Sequence, residues 1–381
     1  MNFNFSDEQE QLREMLQRFV RQDYSFDKRR EILASSEGFS REIWKRLADL
    51  GVLAMTLPSA HGGLGGDAFD SLVIMDATSR GMLLEPYVST VVIGAGLIAH
   101  AGSEAQRAEI LPAVAAGERL LAFAHQESGV RFERQQVALR ASVDADGWLL
   151  NGSKNLVLDG ASADQLLVSA RIAGDARDAA GISLFVVDAN STGIRRRGIS
   201  THDGRRAAQI DFENVRVGAD SVIGVPGQGL ELIDLALDLG IAAVCAEAVG
   251  IMDALVKETS EYLKQRKQFG VAIGSFQVLQ HRVVDMLMSS EQARSMSYLA
   301  AHSLTLAQPQ RSRNLAAAKA VVGQAARLVG QSAVQLHGGI AVCDEVVVSH
   351  WFKRLTMINI NFGDAEHHLA RFSDQLAATE A

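Results

Sequence analysis

The hydrophobic period of this chain changes twice, and that constrains its fold more than any other feature. Up to about residue 117 apolar residues recur at helical spacing, from 118 to 225 they alternate, and from 226 onward the helical spacing returns. Ser6 with Gln9 three residues on makes a capping-box pattern, and Leu12, Met15, Leu16, Phe19 and Val20 then line one helical face. Further helices are expected over 41–54, 68–81 and 104–117, with the glycine-rich "LPSAHGGLGGDAFD" at 57–70 as a loop between them. In the middle, "VALRASVDADGWLLNGSKNLVLDG" predicts a strand, a turn at Asp146-Gly147 and a second strand. The stretches "DQLLVSAR", "GISLFVVDA" and "AAQIDFENVRV" continue as short strands. Between Pro226 and Pro309 no proline interrupts the chain, and long helical patterns occupy 230–249, 276–306 and 313–336.

With 381 residues the chain exceeds one ordinary core. The expected fold class is α+β multidomain: an N-terminal helical domain over 1–117, a middle β-barrel or sandwich over 118–225, and a C-terminal four-helix bundle over 226–381.

Several function classes fall away. Hydrophobic residues are 48% and charged residues 22%, the balance of a folded globular protein. A net charge of −8, with no Lys/Arg run interleaved with aromatics, leaves no nucleic-acid footprint. The densest basic cluster, Arg195-Arg196-Arg197, reads as a solvated strand edge, because neighbouring strand residues point to opposite faces. No apolar stretch approaches a membrane span, and "MNFNFSDEQEQL" has no signal-peptide pattern. Cys245 and Cys343 both sit in apolar contexts, which suggests buried thiols and a cytoplasmic protein.

Three stretches near the C-terminus carry chemistry. In "RKQFG" (266–270), followed by Phe276-Gln277, Arg266 and Phe269 lie three apart on a helix that would end at Gly270, so a guanidinium and a ring share a face suited to a diphosphate and an aromatic base. Gln331 and Gln335 lie one turn apart on an alanine-rich helix ending in Gln335-Leu336-His337-Gly338-Gly339, where the glycines allow a close approach to the backbone. A surface Arg beside a core Phe, and a glycine helix cap beside solvated glutamines, would give the same patterns. The third stretch, "MININFGDAEHH" (357–368), places two acids and two imidazoles after an apolar run that is strand-like or loop-like. Asp364 there suits the N-cap of a last helix.

Taken together, Arg-x-x-Phe-Gly, then Phe-Gln, then Gln-x-x-Gly-Gly with its Gln 69 positions after Arg266, and Pro58-x-x-x-Gly62-Gly63-x-Gly65 upstream, resemble the acyl-CoA dehydrogenase family over nearly the whole chain. Within it, "AFAHQES", "RKQFGVAIGSFQ", "AVQLHGGIA" and "HWFKRLTM" are similar to the small subunits of pimeloyl-CoA dehydrogenases. The resemblance implies FAD as cofactor and an acyl-CoA substrate, with an electron-transfer flavoprotein as acceptor. It also implies a homo- or hetero-oligomer built as a dimer of dimers. Arg266, Gln268, Phe269, Phe276 and Gln277 match positions that hold the ADP half of FAD across a dimer interface. Gln335, Leu336, His337, Gly338 and Gly339 match the opposing loop, and Glu366 matches a cofactor-contacting Glu or Gln.

The family's chemistry takes an α-proton with a carboxylate and passes the β-hydride to the flavin. The sequence departs where that carboxylate is due. Carried from Gly339, the family's base position falls on Phe362, and the position used by other members falls on Gly240. Glu247 is seven residues further along that helix, ~10 Å away and out of reach. The flavin loop falls on residues 126–133, keeping Glu127 and Gly129, and Leu156-Val157-Leu158 lacks the hydroxyl expected near the flavin. An arginine expected after Gly240 is Ile241.

Two readings follow from the resemblance. In one, the chain is a dehydrogenase whose base has moved to Asp364; in the other, it is a non-catalytic partner lending FAD contacts to a sister chain. A third reading, a hydrolase metal site at Asp364, Glu366, His367 and His368, is disfavoured because adjacent helical histidines point about 100° apart. Arg131, where the family has glycine, is the candidate for holding a terminal carboxylate of a dicarboxylyl thioester.

Overall fold

The structure, a computed structural model, describes residues 5–380. The N-terminal segment is helical: α1 (Asp7–Asp23), α2 (Phe26–Ala34), α3 (Arg41–Asp49) and α4 (Ala68–Ser79), then a π-helical stretch Val88–Ala95, α5 (Gly96–Ala101) and α6 (Glu104–Ala115). Ser6 accepts from the Gln9 amide while the Gln9 side chain accepts from the Ser6 amide, so the capping box at the start of α1 is complete. Ser40 and Ser103 cap α3 and α6 in the same way at their N3 amides. Helix α3 stops well short of the expected residue 54 because Gly51 takes a left-handed φ of 76°. Helix α2 and the π-helical stretch have no clear signature in the sequence: the first is only nine residues and weakly amphipathic, and the second is buried on every side, so neither shows an apolar stripe.

The middle segment forms an eight-stranded sheet from β1 (Leu121–Ala124), β2 (Arg140–Asp144), β3 (Gly147–Leu158), β4 (Gln165–Arg171), β5 (Ile182–Asp188), β6 (Ile194–Ser200), β7 (Arg206–Gly218) and β8 (Val222–Ile223). The order is β6-β7-β3-β2-β4-β5-β8, and β1 and β2 run parallel to β4 at successive points along it. The β2–β3 turn is Ala145-Asp146 rather than Asp146-Gly147, because Asp144 pairs with Gly147. Gly147 belongs to the strand, where a Cβ would stand 2.1 Å from the Val217 carbonyl oxygen. Strand β6 is the sheet edge expected of the arginine cluster: Arg195 faces Glu213 at 3.4 Å, and Arg196 turns back to the carbonyls of Ala161 and Ala163.

The C-terminal segment is the helix bundle: α7 (Gly229–Gln265), a small hairpin of β9 (Lys267–Gln268) and β10 (Val271–Ala272), then α8 (Gln277–Ser303), α9 (Gln310–His337), α10 (Val347–Ile360) and α11 (Ala365–Glu380). Met357–Ile360 is therefore the last turn of a helix rather than a strand or loop. The apolar spacing of Val348, Trp351, Leu355 and Ile358, all buried, is the period that shows it. Helix α7 is long and apolar enough to cross a membrane, but 78% of its apolar window is buried inside the protein, which marks a core helix.

Two compact units result. One comprises the described residues up to 31, residues 68–83 and those from 241 onward, and the other 32–67 and 84–240. The first buries α7 from Ile241 onward with α8, α9 and α10 in a core rich in alanine, valine and leucine. The second buries the inward residues of the sheet, among them Leu150, Leu166, Val168, Phe185 and Ile210. Cys245 is buried in the bundle as expected, but Cys343 is exposed, because it ends a short 3-10 turn after α9 instead of packing into it.

Candidate functional site

Helix α7 ends at Gln265, so Arg266 and Phe269 do not share a helical face as expected. Residues 267–272 form a hairpin whose two-residue turn is Phe269-Gly270, with φ of 55° and 81°. Two positive φ values in succession are what the right-handed twist of a tight hairpin asks for, and Gly270 is the residue that makes them accessible. Phe269 is 92% exposed at the tip and meets Phe276 edge to face, with ring centroids 6.2 Å apart. The Arg266 guanidinium is exposed and has no hydrogen-bond or ion-pair partner among the described residues. Gln268 turns its amide back onto the Lys267 carbonyl at 2.8 Å, and Gln277 opens α8 with its side chain exposed.

The end of α9 lies beside this hairpin in the same chain. Tyr262, one turn before Arg266, stacks on His337 with centroids 4.4 Å apart, and His337 Nδ1 bonds to the Ala333 carbonyl at 2.9 Å. Gly338 takes φ 69° and ends the helix. A Cβ added at Gly338 or Gly339 would meet nothing within 4 Å, so the backbone there is open to another group. Leu336 and His337 are buried, and Gln335 is exposed. Gln331 and Gln335 line a cavity of about 440 Å³ with Arg282 and Arg327. The two stretches singled out as facing each other across subunits are thus neighbours at one end of one bundle.

This end of the bundle fits a dinucleotide on its own terms. It offers an exposed pair of aromatic rings for a base, an unpartnered guanidinium for a diphosphate, carboxamides for hydrogen bonds, and open glycine backbone.

The turn that opens α11 holds the expected acid site. Phe362 has φ 61° and Gly363 φ 107°. A Cβ at Gly363 would sit 2.6 Å from His368 Nε2, so only glycine fits. Asp364 Oδ1 accepts from the His367 amide at 2.8 Å, which makes it the N-cap of α11. Glu366 points outward in the first turn, where its charge favours the helix N-terminus. Glu247 is committed elsewhere: Arg354 grips it with Nε–Oε1 at 2.7 Å and Nη2–Oε2 at 2.6 Å, and both side chains are buried. Lys319, fully buried on α9, reaches the turn through its Nζ, at 3.0 Å from Asn359 O and 2.7 Å from Gly363 O. Sequence reasoning missed both Lys319 and Arg354, although a lone cation inside "NLAAAKAVVG" or "HWFKRLTM" is a signal of a buried charge.

In the sheet unit, the loop carrying residues 126–137 is tied down by charge. Glu127 accepts from the Ala138 and Leu139 amides and from Lys154 Nζ at 2.6 Å. Arg134 pairs with Asp234 at 2.6 Å, and Arg171 donates to the carbonyls of Gln135 and Val137. Arg131 lies over the Phe132 ring at the loop's exposed tip. Burial holds the Lys154 ammonium down to about 8 in spite of Glu127, and burial with the Lys154 charge holds His125 down to about 3. Val157 is buried, and Leu156, with φ 51°, sits in a bulge of β3. No hydroxyl stands at residues 156–158, but Ser89, on the π-helical stretch, donates to Asp159 one residue further on at 2.5 Å.

The family pattern described as "Acyl-CoA dehydrogenase, N-terminal domain" matches residues 6–118, its middle-domain pattern 122–215 and its C-terminal-domain pattern 227–377. "Probable acyl-CoA dehydrogenase FadE25" of Mycobacterium tuberculosis is 31% identical over 334 residues, 85% of this chain and 84% of that one. The short-chain-specific acyl-CoA dehydrogenase of Clostridium acetobutylicum is 28% identical over 96% of this chain and 97% of its own length. Among solved structures, butyryl-CoA dehydrogenase of Megasphaera elsdenii superimposes with a TM-score of 0.91 at 25% identity, covering 99% of this chain and 100% of that one. In order, extent and fold, this chain belongs to the acyl-CoA dehydrogenase family of FAD-dependent oxidoreductases.

Proposed function

We propose that this chain is a subunit of an FAD-dependent acyl-CoA dehydrogenase that desaturates an acyl-CoA thioester between its α- and β-carbons. The observation that carries the cofactor assignment is the joint placing of the free Arg266, the exposed Phe269–Phe276 pair and the open Gln335–Gly339 backbone at one end of the bundle. Bound there by its ADP half, FAD supplies the two-electron acceptor for the β-hydride. The chain's own part is to hold that half through Arg266, Gln268, Phe269, Phe276, Gln277 and residues 335–339, to contact the cofactor elsewhere through Glu366, and to supply the acceptor for the α-proton. Asp364 is the proposed acceptor, two residues beyond the position at which family members carry theirs. In this scheme the thioester gains a Cα=Cβ bond, the carboxylate gains the proton, and an electron-transfer flavoprotein takes up the electrons.

A second reading, a non-catalytic partner that completes a sister chain's site, is favoured by two observations: Phe362 stands where the acid is due, and Asp364 spends one oxygen capping α11. The likeness of "RKQFGVAIGSFQ" and "HWFKRLTM" to small subunits of pimeloyl-CoA dehydrogenases supports the same reading. Both readings call for an oligomer. Val278, Val284, Leu287 and Met288 of α8 and Leu328 of α9 are exposed, and we place the dimer-of-dimers contact there. The three-domain division at 117 and 225 and a cytoplasmic location, for which the two free thiols speak, belong to the same proposal.

The test is FAD content after purification of the chain alone. The proposal expects FAD to co-purify, and Arg266→Ala and Gln335→Ala each to weaken its retention by about tenfold. Retention that ignores both substitutions would remove the assignment.

A further inference from the structure

The turn between α10 and α11 is held from beneath by one buried cation. Lys319 Nζ donates to Asn359 O and Gly363 O, and His368 Nε2, 2.9 Å from Phe362 O, donates to the third carbonyl. Three carbonyls of the short run 359–363 therefore point at two side chains from α9 and α11 instead of at water. The same run holds Phe362 in the left-handed region at φ 61°, a conformation that costs a non-glycine residue free energy and that the bonds to Lys319 and His368 help to hold.

Lys319 achieves this at a disadvantage to folding. It is completely buried, and no carboxylate lies within ion-pair distance of it among the described residues. Leu315, Ala316, Ala318, Ala320 and Val322 beside it on α9 are buried and apolar, so an apolar residue would suit the site better if packing were all that mattered. Burial holds its ammonium down to about 8 against the pull of the Asp364 carboxylate, and the Cys245 thiol, itself pushed up to about 12 by burial, stays neutral and supplies no counter-charge.

We infer that Lys319 is a positioning residue for the reaction: with His368 it fixes the backbone of residues 359–363, and through it the side chain at 362 and the carboxylate of Asp364. The inference rests on the function proposed above, but one arm of its test does not. On the FAD-loaded protein, Lys319→Met, which keeps the volume and removes the donor, slows flavin reduction by acyl-CoA by about 100-fold while leaving KM nearly unchanged. Lys319→Gln, which keeps a donor of shorter reach, falls between the two. Independently of turnover, the amides of Gly363, His367 and His368, all hydrogen-bonded within the turn, exchange about tenfold faster in Lys319→Met than in the unaltered chain. If the protein reduces no flavin in any form, the functional proposal fails and the exchange arm still decides the role of Lys319. Exchange unchanged in Lys319→Met overturns the inference, as does flavin reduction at the original rate. Failure of both variants to fold would also overturn it, by making Lys319 a residue of the fold.

Discussion

Arg354 and Glu247 form a bidentate ion pair in the interior of the bundle, with both side chains only 3% exposed. Both oxygens of Glu247, seven residues beyond Gly240, are committed to one guanidinium, which argues against its acting as a proton acceptor. Breaking a buried pair leaves an uncompensated charge, whereas removing both partners does not. Glu247→Gln is therefore expected to lower unfolding free energy by about 3–5 kcal/mol, with Glu247→Gln/Arg354→Met recovering most of the loss. Urea denaturation of the two variants checks this; a double variant no better than the single one would speak against it.

Stability at acid pH should be divided between two groups that pull in opposite directions. His125, held down to about 3, binds a proton in the unfolded chain before the native one, so its contribution is present above pH 6.5 and is lost as pH falls towards 3. Asp76, raised by burial to about 6 against the pull of Arg294, is protonated in the native state first; its term favours the native state below pH 3.8 and is lost as pH rises to 6. Each contributes a slope of about 1.4 kcal/mol per pH unit inside its window, with opposite signs. Between pH 4 and 6 they largely cancel. Unfolding free energies across that range should rise more steeply with pH in Asp76→Asn than in the unaltered chain, and less steeply in His125→Asn. Parallel curves for all three proteins would contradict both assignments.

Lys154 and Glu127 tie the loop at residues 126–139 to the sheet. Glu127 accepts from two loop amides as well as from Lys154, so Glu127→Gln loses charge assistance on three bonds at once. The expected loss is about 2–4 kcal/mol, together with faster proteolysis of the loop. A loop cleaved at the original rate would show that Arg134 and Arg171 hold it unaided.

Phe362 offers a gain-of-function test. The backbone at this position is fixed by Lys319 and His368 and already accepts a non-glycine residue at φ 61°. Phe362→Glu places a carboxylate where family members have theirs, and it should speed flavin reduction by acyl-CoA by about 100-fold. No acceleration, with FAD and acyl-CoA both bound, would mean that the rest of the pocket has diverged too far to use it.

Much of this was legible in the sequence because it rests on period and caps. Ser6–Gln9, Ser40 and Ser103 mark helix starts through local hydrogen bonds, and alternation marks the strands of the sheet. What was misread depended on contacts distant in sequence. Gly147 reads as a turn glycine until Val217 is seen against it, and Phe269-Gly270 reads as a helix end until the β9–β10 pairing is known. The candidate site divides in the same way. The resemblance located Arg266 and Gln335, but nothing local reveals that their two stretches adjoin through Tyr262 and His337. Nor does local sequence show that the turn bearing Phe362 and Asp364 is held by Lys319, 43 residues before Phe362.

The most direct measurement is anaerobic mixing of the purified, FAD-loaded chain with medium-chain acyl-CoA and dicarboxylyl-CoA thioesters, set beside its Asp364→Asn variant. The oxidised-flavin absorbance of the unaltered chain is expected to be lost on mixing. Asp364→Asn is expected to bind FAD normally and keep its absorbance. Bleaching at the same rate in both proteins would remove Asp364 as the proton acceptor, and the absence of bleaching in the unaltered chain with every thioester would contradict the proposal that this chain carries the reaction itself.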